Sequence, residues 1–205
     1  MGIYKEHILP HMINCGCGMK PVMALREKVV PLAFGDVLEV GMGSGLNLSF
    51  YQSANVNKVW GLEPSEGMRR RAQKNLAQSP VTVEWLDLPG ERVPLADDSV
   101  DSIVLTFTMC SIPDWRAALE QMHRVLKPAG KLFFCEHGLA PDASVQKWQQ
   151  RLNPYWNRVF DCNLNRPVIN YLEQGGFNIN WHEDLYVEHS PKPLSYMSYG
   201  EAVKP

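Results

Sequence analysis

The stretch Glu39–Gly45, EVGMGSG, follows directly on the apolar run Asp36 to Val40, DVLEV. Glycines at 41, 43 and 45 allow positive φ and let a ligand approach backbone that any Cβ would block. A strand that enters such a loop and leaves it through LNLSFY, a stretch able to start a helix, is a strand-loop-helix crossing of an α/β sheet. The loop has no Gly-Lys-Ser/Thr ending, so no lysine is placed to pair with a triphosphate. Its third glycine also comes one residue earlier than the dinucleotide spacing, which argues against a pyrophosphate ligand. Because tight βα turns also use glycine for geometry alone, the loop by itself leaves its ligand open.

The rest of the chain repeats the α/β pattern. Further strands are predicted at Lys58 to Leu62, Val81 to Leu86, Val100 to Phe107 and Lys131 to Glu136, each rich in Val, Leu, Phe or Trp. Ser65 caps a helix predicted through about Gln78, and Asp114 caps another that Pro128 and Gly130 end. Residues 3–34 hold two short helical stretches divided around Gly16 to Pro21, too little chain for a core of its own, so they must pack on the sheet. Val145, Trp148, Leu152, Tyr155 and Val159 step by three or four and predict an amphipathic helix that Pro154 kinks. Two more strands are expected near Phe177 to Trp181 and Leu185 to Val187, after which the chain runs out in PKPLSYMSYGEAVKP. With 205 residues and 45% apolar content, one core is expected. The fold class is a Rossmann-like three-layer α/β sandwich, a mostly parallel seven-stranded sheet with helices on both faces.

Glu63 ends the second apolar run, 22 positions beyond Gly41. In one βαβ unit that separation places a carboxylate beside the loop, where it can accept both hydroxyls of a ribose. An NAD-linked oxidoreductase could share that acid. Twenty basic against 22 acidic residues exclude affinity built on neutralising many phosphates, so nucleic acid is not an expected partner. No apolar run reaches the roughly 20 residues that span a bilayer, and the polar start lacks a signal-peptide core, so a cytoplasmic protein is expected. Five cysteines imply no disulfide framework. His7, His11, Cys15 and Cys17 have spacing that could hold zinc, but no second ligand pair follows; they are read as helix-end residues and no metal is expected.

In order and at matching spacing, DVLEVGMGSG, GLEPSEGM, LADDSVDSIVLTFTMCSIPDW and HRVLKPAGKLFFCEHG resemble the motifs of class I S-adenosylmethionine (SAM) dependent methyltransferases. TMCSIPD, CEHG and the stretch from WQQRLNPYW to DCNLNR are similar to the alkyl thiol methyltransferase-like branch, beside the ubiquinone-biosynthesis type. The resemblance implies a single methyltransferase domain over residues 1–205, with residues 1–34 as a helical lid. It implies SAM as cofactor, held by Glu39, Gly41, Gly43, Gly45, Glu63, Pro64, Met68 and Thr106. The adenine would meet Gly90 and Glu91, with Asp87 the other possible alignment. The acceptor would be a small molecule such as a thiol, phenol or quinol precursor. A module that binds SAM without turnover is the other reading. Displacement at a sulfonium methyl demands positioning above all. A hydroxyl acceptor also needs a base, for which His137 is the candidate, whereas a thiol already ionises near neutrality. Tyr4, His7, His11, Cys110, Trp148, Tyr155 and Trp156 are expected to line the acceptor pocket.

Overall fold

The computed structural model describes residues 4–205. Seven strands form one sheet: β1 (Gly35–Val40), β2 (Val56–Leu62), β3 (Val83–Leu86), β4 (Val100–Thr106), β5 (Leu126–His137), β6 (Asn178–Tyr186) and β7 (Tyr196–Val203). Their order across the sheet is β3-β2-β1-β4-β5-β7-β6. The first five run parallel, and β7 is antiparallel to both its neighbours. The central strands carry consecutive apolar residues facing both ways because helices cover both faces. Val37 and Leu38 of β1, and Ile103, Val104 and Leu105 of β4, are fully buried.

The helices are α1 (Leu9–Cys17), α2 (Lys20–Val29), α3 (Glu66–Leu76), α4 (Trp115–Val125), α5 (Ala143–Phe160), α6 (Val168–Gln174) and α7 (Lys192–Ser195). On one face Leu38, Leu105 and Phe134 pack with Leu119 and Met122 of α4 and Leu172 of α6. On the other, Val37, Val59 and Phe133 pack with Leu25 and Val29 of α2. Ser65 caps α3 by accepting from the Met68 N–H at 3.3 Å, and Asp114 caps α4 by accepting from the Ala117 N–H at 3.1 Å, each satisfying a donor the helix cannot use.

Several expectations need correction. LNLSFY forms a single 3-10 turn, Leu48–Phe50, because the chain re-enters the sheet at Val56 and leaves too little length for a stable helix. The face that such a helix would cover is filled by α2, whose Leu25 and Val29 share one cluster with Leu48 and Tyr51. The chain leaves α4 at Leu126 straight into β5, so Pro128 and Gly130 lie within the strand and do not end the helix. The two short strands expected after Phe177 are one, β6. As an edge strand, β6 tolerates its polar run His182 to Asp184.

The tail read as running out is β7, buried along Met197 to Ala202. Its polar letters hide it. Glu201 pairs with Lys131 at 3.1 Å and accepts from the Asn180 side chain at 2.6 Å. A Cβ on Gly200 would come 2.2 Å from the Trp181 carbonyl oxygen.

Truncating Phe134, fully buried in the sheet centre, is expected to lower the unfolding free energy by about 3–5 kcal/mol. Asp114→Ala loses one cap and about 1 kcal/mol. Urea denaturation measures both, and equal effects would contradict this picture of the core.

Candidate functional site

The strand order reverses between β1 and β4, and their carboxyl ends open on a cavity of about 280 Å³, the position where open α/β sheets hold ligands. Gly41, Gly43, Glu63, Pro64, Met68 and Thr106 all line it. Gly41 has φ of +70° and a Cβ there would lie 2.2 Å from Thr108 Oγ1, so only glycine fits. Gly43, at φ of +59°, donates its N–H to Glu63 Oε2 at 2.9 Å. The Ser65 N–H donates to the other oxygen, Oε1, at 2.8 Å.

Glu63 is thus aimed by two backbone donors from two loops, and each oxygen keeps a further lone pair for a ligand hydroxyl. Burial pushes its pKa up, opposed by those two N–H groups and by nearby Arg69. Gly45 turns the chain over Leu48 and is absent from the cavity wall. Gly90 packs against Ile112, Ala118 and Val40, and Glu91 accepts from the Asp114 N–H at 3.2 Å; neither reaches the cavity, and Asp87 is exposed.

A buried polar network underlies the loop. Arg26 of α2 is 4% exposed and donates from Nη1 to Asn47 Oδ1 at 2.8 Å and to Thr106 Oγ1 at 2.6 Å. Asn47 Nδ2 donates to Thr106 Oγ1 and to Glu39 Oε1, each at 2.9 Å. The Tyr51 hydroxyl donates to Glu39 Oε2 at 2.7 Å. Glu39 therefore braces the network from below and does not touch the cavity. Burial pushes its pKa to about 7, against the hydrogen bonds from Tyr51 and Asn47 and the nearby Arg26. Arg26 does line the cavity, and its Nε has no hydrogen-bond partner among the described residues. An arginine on an amphipathic helix reads as a surface residue, so nothing in the sequence singled it out.

A second cavity of about 440 Å³ adjoins the first. Ile13, Cys17, Phe107, Ser111 and Phe160 line both. Its walls are mainly apolar, with Met12, Val22, Trp156 and Leu194 among them. His137, the last residue of β5, lines it together with Cys110 and Cys162. Its Nε2 lies 3.0 Å from Cys162 Sγ. Beside it, Glu136 accepts from the Thr108 and Met109 N–H groups at 2.7 and 3.0 Å, both on Oε1. Its Oε2 is buried without a partner among the described residues, and burial pushes its pKa to about 7, opposed by those two hydrogen bonds.

Of the residues expected in the acceptor pocket, Cys110 and Trp156 line this cavity. Trp148 and Tyr155, seven residues apart on one face of α5, are 55% and 75% exposed, because the helix turns the neighbouring face, that of Gln149 and Trp156, towards the protein. His7 and His11 are exposed, and Tyr4 donates its hydroxyl to the Val159 carbonyl, fastening the N-terminal segment to α5. These five residues lie outside both cavities. Cys162 was not singled out by the sequence, since a thiol just past a helix carries no local signal.

A family model for the methyltransferase domain matches residues 38–134. The human thiol S-methyltransferase TMT1A is 33% identical over 191 residues, 88% of this chain and 75% of the relative. Human thiol S-methyltransferase TMT1B is 33% identical over 169 residues. That match covers 80% of this chain, which spans 66% of the relative's length. A SAM-dependent methyltransferase of Thermotoga maritima has the same fold, with a TM-score of 0.66 over 98% of this chain and 100% of that one, at 19% identity. Among the described residues no helix is long and apolar enough to cross a membrane.

Glu39 and Glu136 both hold their protons more tightly folded than an ordinary carboxyl does. Between about pH 4.5 and about 7 the native state therefore binds more protons than the unfolded chain, so the unfolding free energy falls as pH rises through that window. Glu136→Gln keeps the neutral shape and should flatten the fall, by on the order of 3 kcal/mol at most. Denaturation curves at about pH 5 and about pH 8 check it, and an unchanged slope in the variant would refute the assignment.

Proposed function

The chain belongs to the class I SAM-dependent methyltransferases, and we propose that it transfers a methyl group from SAM to the sulfur of a small apolar thiol. The observation that carries this reading is the pair of adjoining cavities, one a backbone cradle with a buried acid, the other apolar and lined by His137.

The residues present fit the cofactor. Gly41 and Gly43 present bare backbone on the cavity wall, each in a positive-φ conformation that suits glycine. The Glu63 carboxylate, held by the Gly43 and Ser65 N–H groups, is placed for the ribose hydroxyls. Pro64 and Met68 line the wall beside it for the adenine. The unpartnered Arg26 Nε supplies a cation and a donor for a carboxylate, the group at the far end of a methionine moiety. When bound, SAM supplies a methyl group on a positively charged sulfur.

The protein's own contribution is placement and exclusion of water. Residues from α1 and α2, Leu9, Pro10, Ile13, Asn14, Cys17 and Arg26, line the first cavity together with the glycine loop, which supports a covering role for these two helices. Two reactants fixed in line can gain roughly 7–11 kcal/mol from orientation alone. The shared wall at Phe107, Ser111 and Phe160 is where the acceptor would approach. Even a cysteine-type thiol, with a pKa of about 8.5, is mostly protonated at neutral pH, and His137, which lines the acceptor cavity, is the base that can take the acceptor's proton. The similarity to human thiol S-methyltransferases at 33% identity favours sulfur as the acceptor atom.

Labelled SAM offered with panels of alkyl thiols, phenols and quinol precursors tests the reading. Thiols are expected to be methylated, and turnover of phenols or quinols without thiols would reassign the acceptor. Glu63→Ala should weaken SAM binding at least about tenfold. It should also cost roughly 1–3 kcal/mol of stability, because the Gly43 and Ser65 N–H groups lose their acceptor. Calorimetric binding unchanged in that variant would show the ribose contact to be misassigned.

A further inference from the structure

Cys110, His137 and Cys162 converge from three separate elements, the loop after β4, the end of β5 and the turn after α5. One ligand atom of each lies within 4.8 Å of the others. Among the described residues this is the His/Cys/Asp/Glu group with that closeness, and the notion of zinc at His7, His11, Cys15 and Cys17 finds no such convergence. We propose that these three side chains bind one divalent ion of the zinc class, with the fourth coordination position open to the acceptor cavity.

The geometry suits the ion. Zinc bonds of about 2.3 Å to sulfur and about 2.0–2.1 Å to nitrogen place tetrahedral donor atoms roughly 3.5–3.8 Å apart. The His137 Nε2 to Cys162 Sγ separation of 3.0 Å and the outer limit of 4.8 Å bracket that value, so small side-chain rotations close the site. Two sulfurs and an imidazole select soft or borderline ions over magnesium or calcium. Three protein ligands with one open position is the arrangement of catalytic zinc.

The backbone beneath is fastened as a ligand set requires. Asn163 donates to the Cys110 carbonyl twice, from its N–H at 3.0 Å and from Nδ2 at 2.9 Å. Arg166 Nη1 holds the Met109 and Ile112 carbonyls on either side at 2.5 and 2.6 Å. Asp161, at φ of +55°, ends α5 in a left-handed turn and delivers Cys162 to the cluster.

Charge balances too. The ion displaces one proton from each cysteine, and both protons leave to solvent. Two thiolates then meet the ion's two charges while His137 stays neutral, so the assembled site carries no net charge into a buried wall. An acceptor R–SH entering the open position loses its proton to solvent and forms a metal–sulfur bond as R–S⁻. His137 then acts as a ligand, and the ion replaces it as the means of ionising the acceptor. This last step rests on the thiol reading proposed above; the binding of the ion does not.

The test is a titration of the reduced, metal-stripped full chain with Co²⁺, followed by an alkyl thiol, without SAM. One equivalent should bind with thiolate-to-cobalt charge-transfer absorption that the added thiol shifts. Cys110→Ser and Cys162→Ser should each weaken binding at least about tenfold, and Cys15→Ser should leave it unchanged. A wild-type chain without that absorption, or absorption that survives in both ligand variants, overturns the site. If the stripped chain methylates thiols at an undiminished rate, the ion's role falls and the thiol reading stands. If cobalt binds as expected and no thiol is ever methylated, the site stands and the acceptor assignment falls.

Discussion

A guanidinium sealed beneath the N-terminal helices organises this molecule. Arg26 belongs to α2, yet its hydrogen-bond partners are Asn47, past the glycine loop, and Thr106, at the end of β4. The Phe107 ring lies 4.8 Å from it. Leaving a buried cation with fewer partners costs several kcal/mol, so the helices, the loop and the sheet ends settle together. The N-terminal helices that line the cavity are therefore part of the core and not an appendage laid on a finished sheet. Lys28 reinforces this by donating to the Tyr199 hydroxyl at 2.6 Å, tying α2 to β7 as well.

What the sequence disclosed follows from how local each signal is. Glycines at 41 and 43, the acid at 63 and the caps Ser65 and Asp114 act within a few residues or one βαβ unit, and each stands in the structure where its spacing put it. Signals that depend on distant partners were silent. Arg26 and Cys162 owe their settings to residues far along the chain. Strand β7 was hidden because Gly200 and Glu201 are explained only by Trp181, Lys131 and Asn180 across the sheet. The aromatic side chains of α5 show the same limit: periodicity marks a helix, and it does not say which of Trp148, Tyr155 and Trp156 turns inward.

The two cavities divide the chemistry by polarity. One side offers bare backbone, an acid and a cation suited to a charged and hydroxylated ligand. The other is mostly hydrocarbon, with sulfur and imidazole at one wall. Cys17 belongs to both, and burial pushes its thiol up to about 11, against the pull of Arg26, so it stays neutral at the junction. A neutral group at that junction adds no charge of its own to either cavity.

The placement of β7 sets an order on how the sheet can be completed. Although β6 precedes it along the chain, β7 lies between β5 and β6, so β6 has no hydrogen-bonding neighbour until residues 196–203 arrive. During synthesis β5 must wait with an open edge carrying Phe133, Phe134 and Cys135, all buried in the finished protein. An uncovered apolar strand edge is a template for pairing with another chain. The growing polypeptide is thus exposed to misassembly at this edge until β7 emerges from the ribosome.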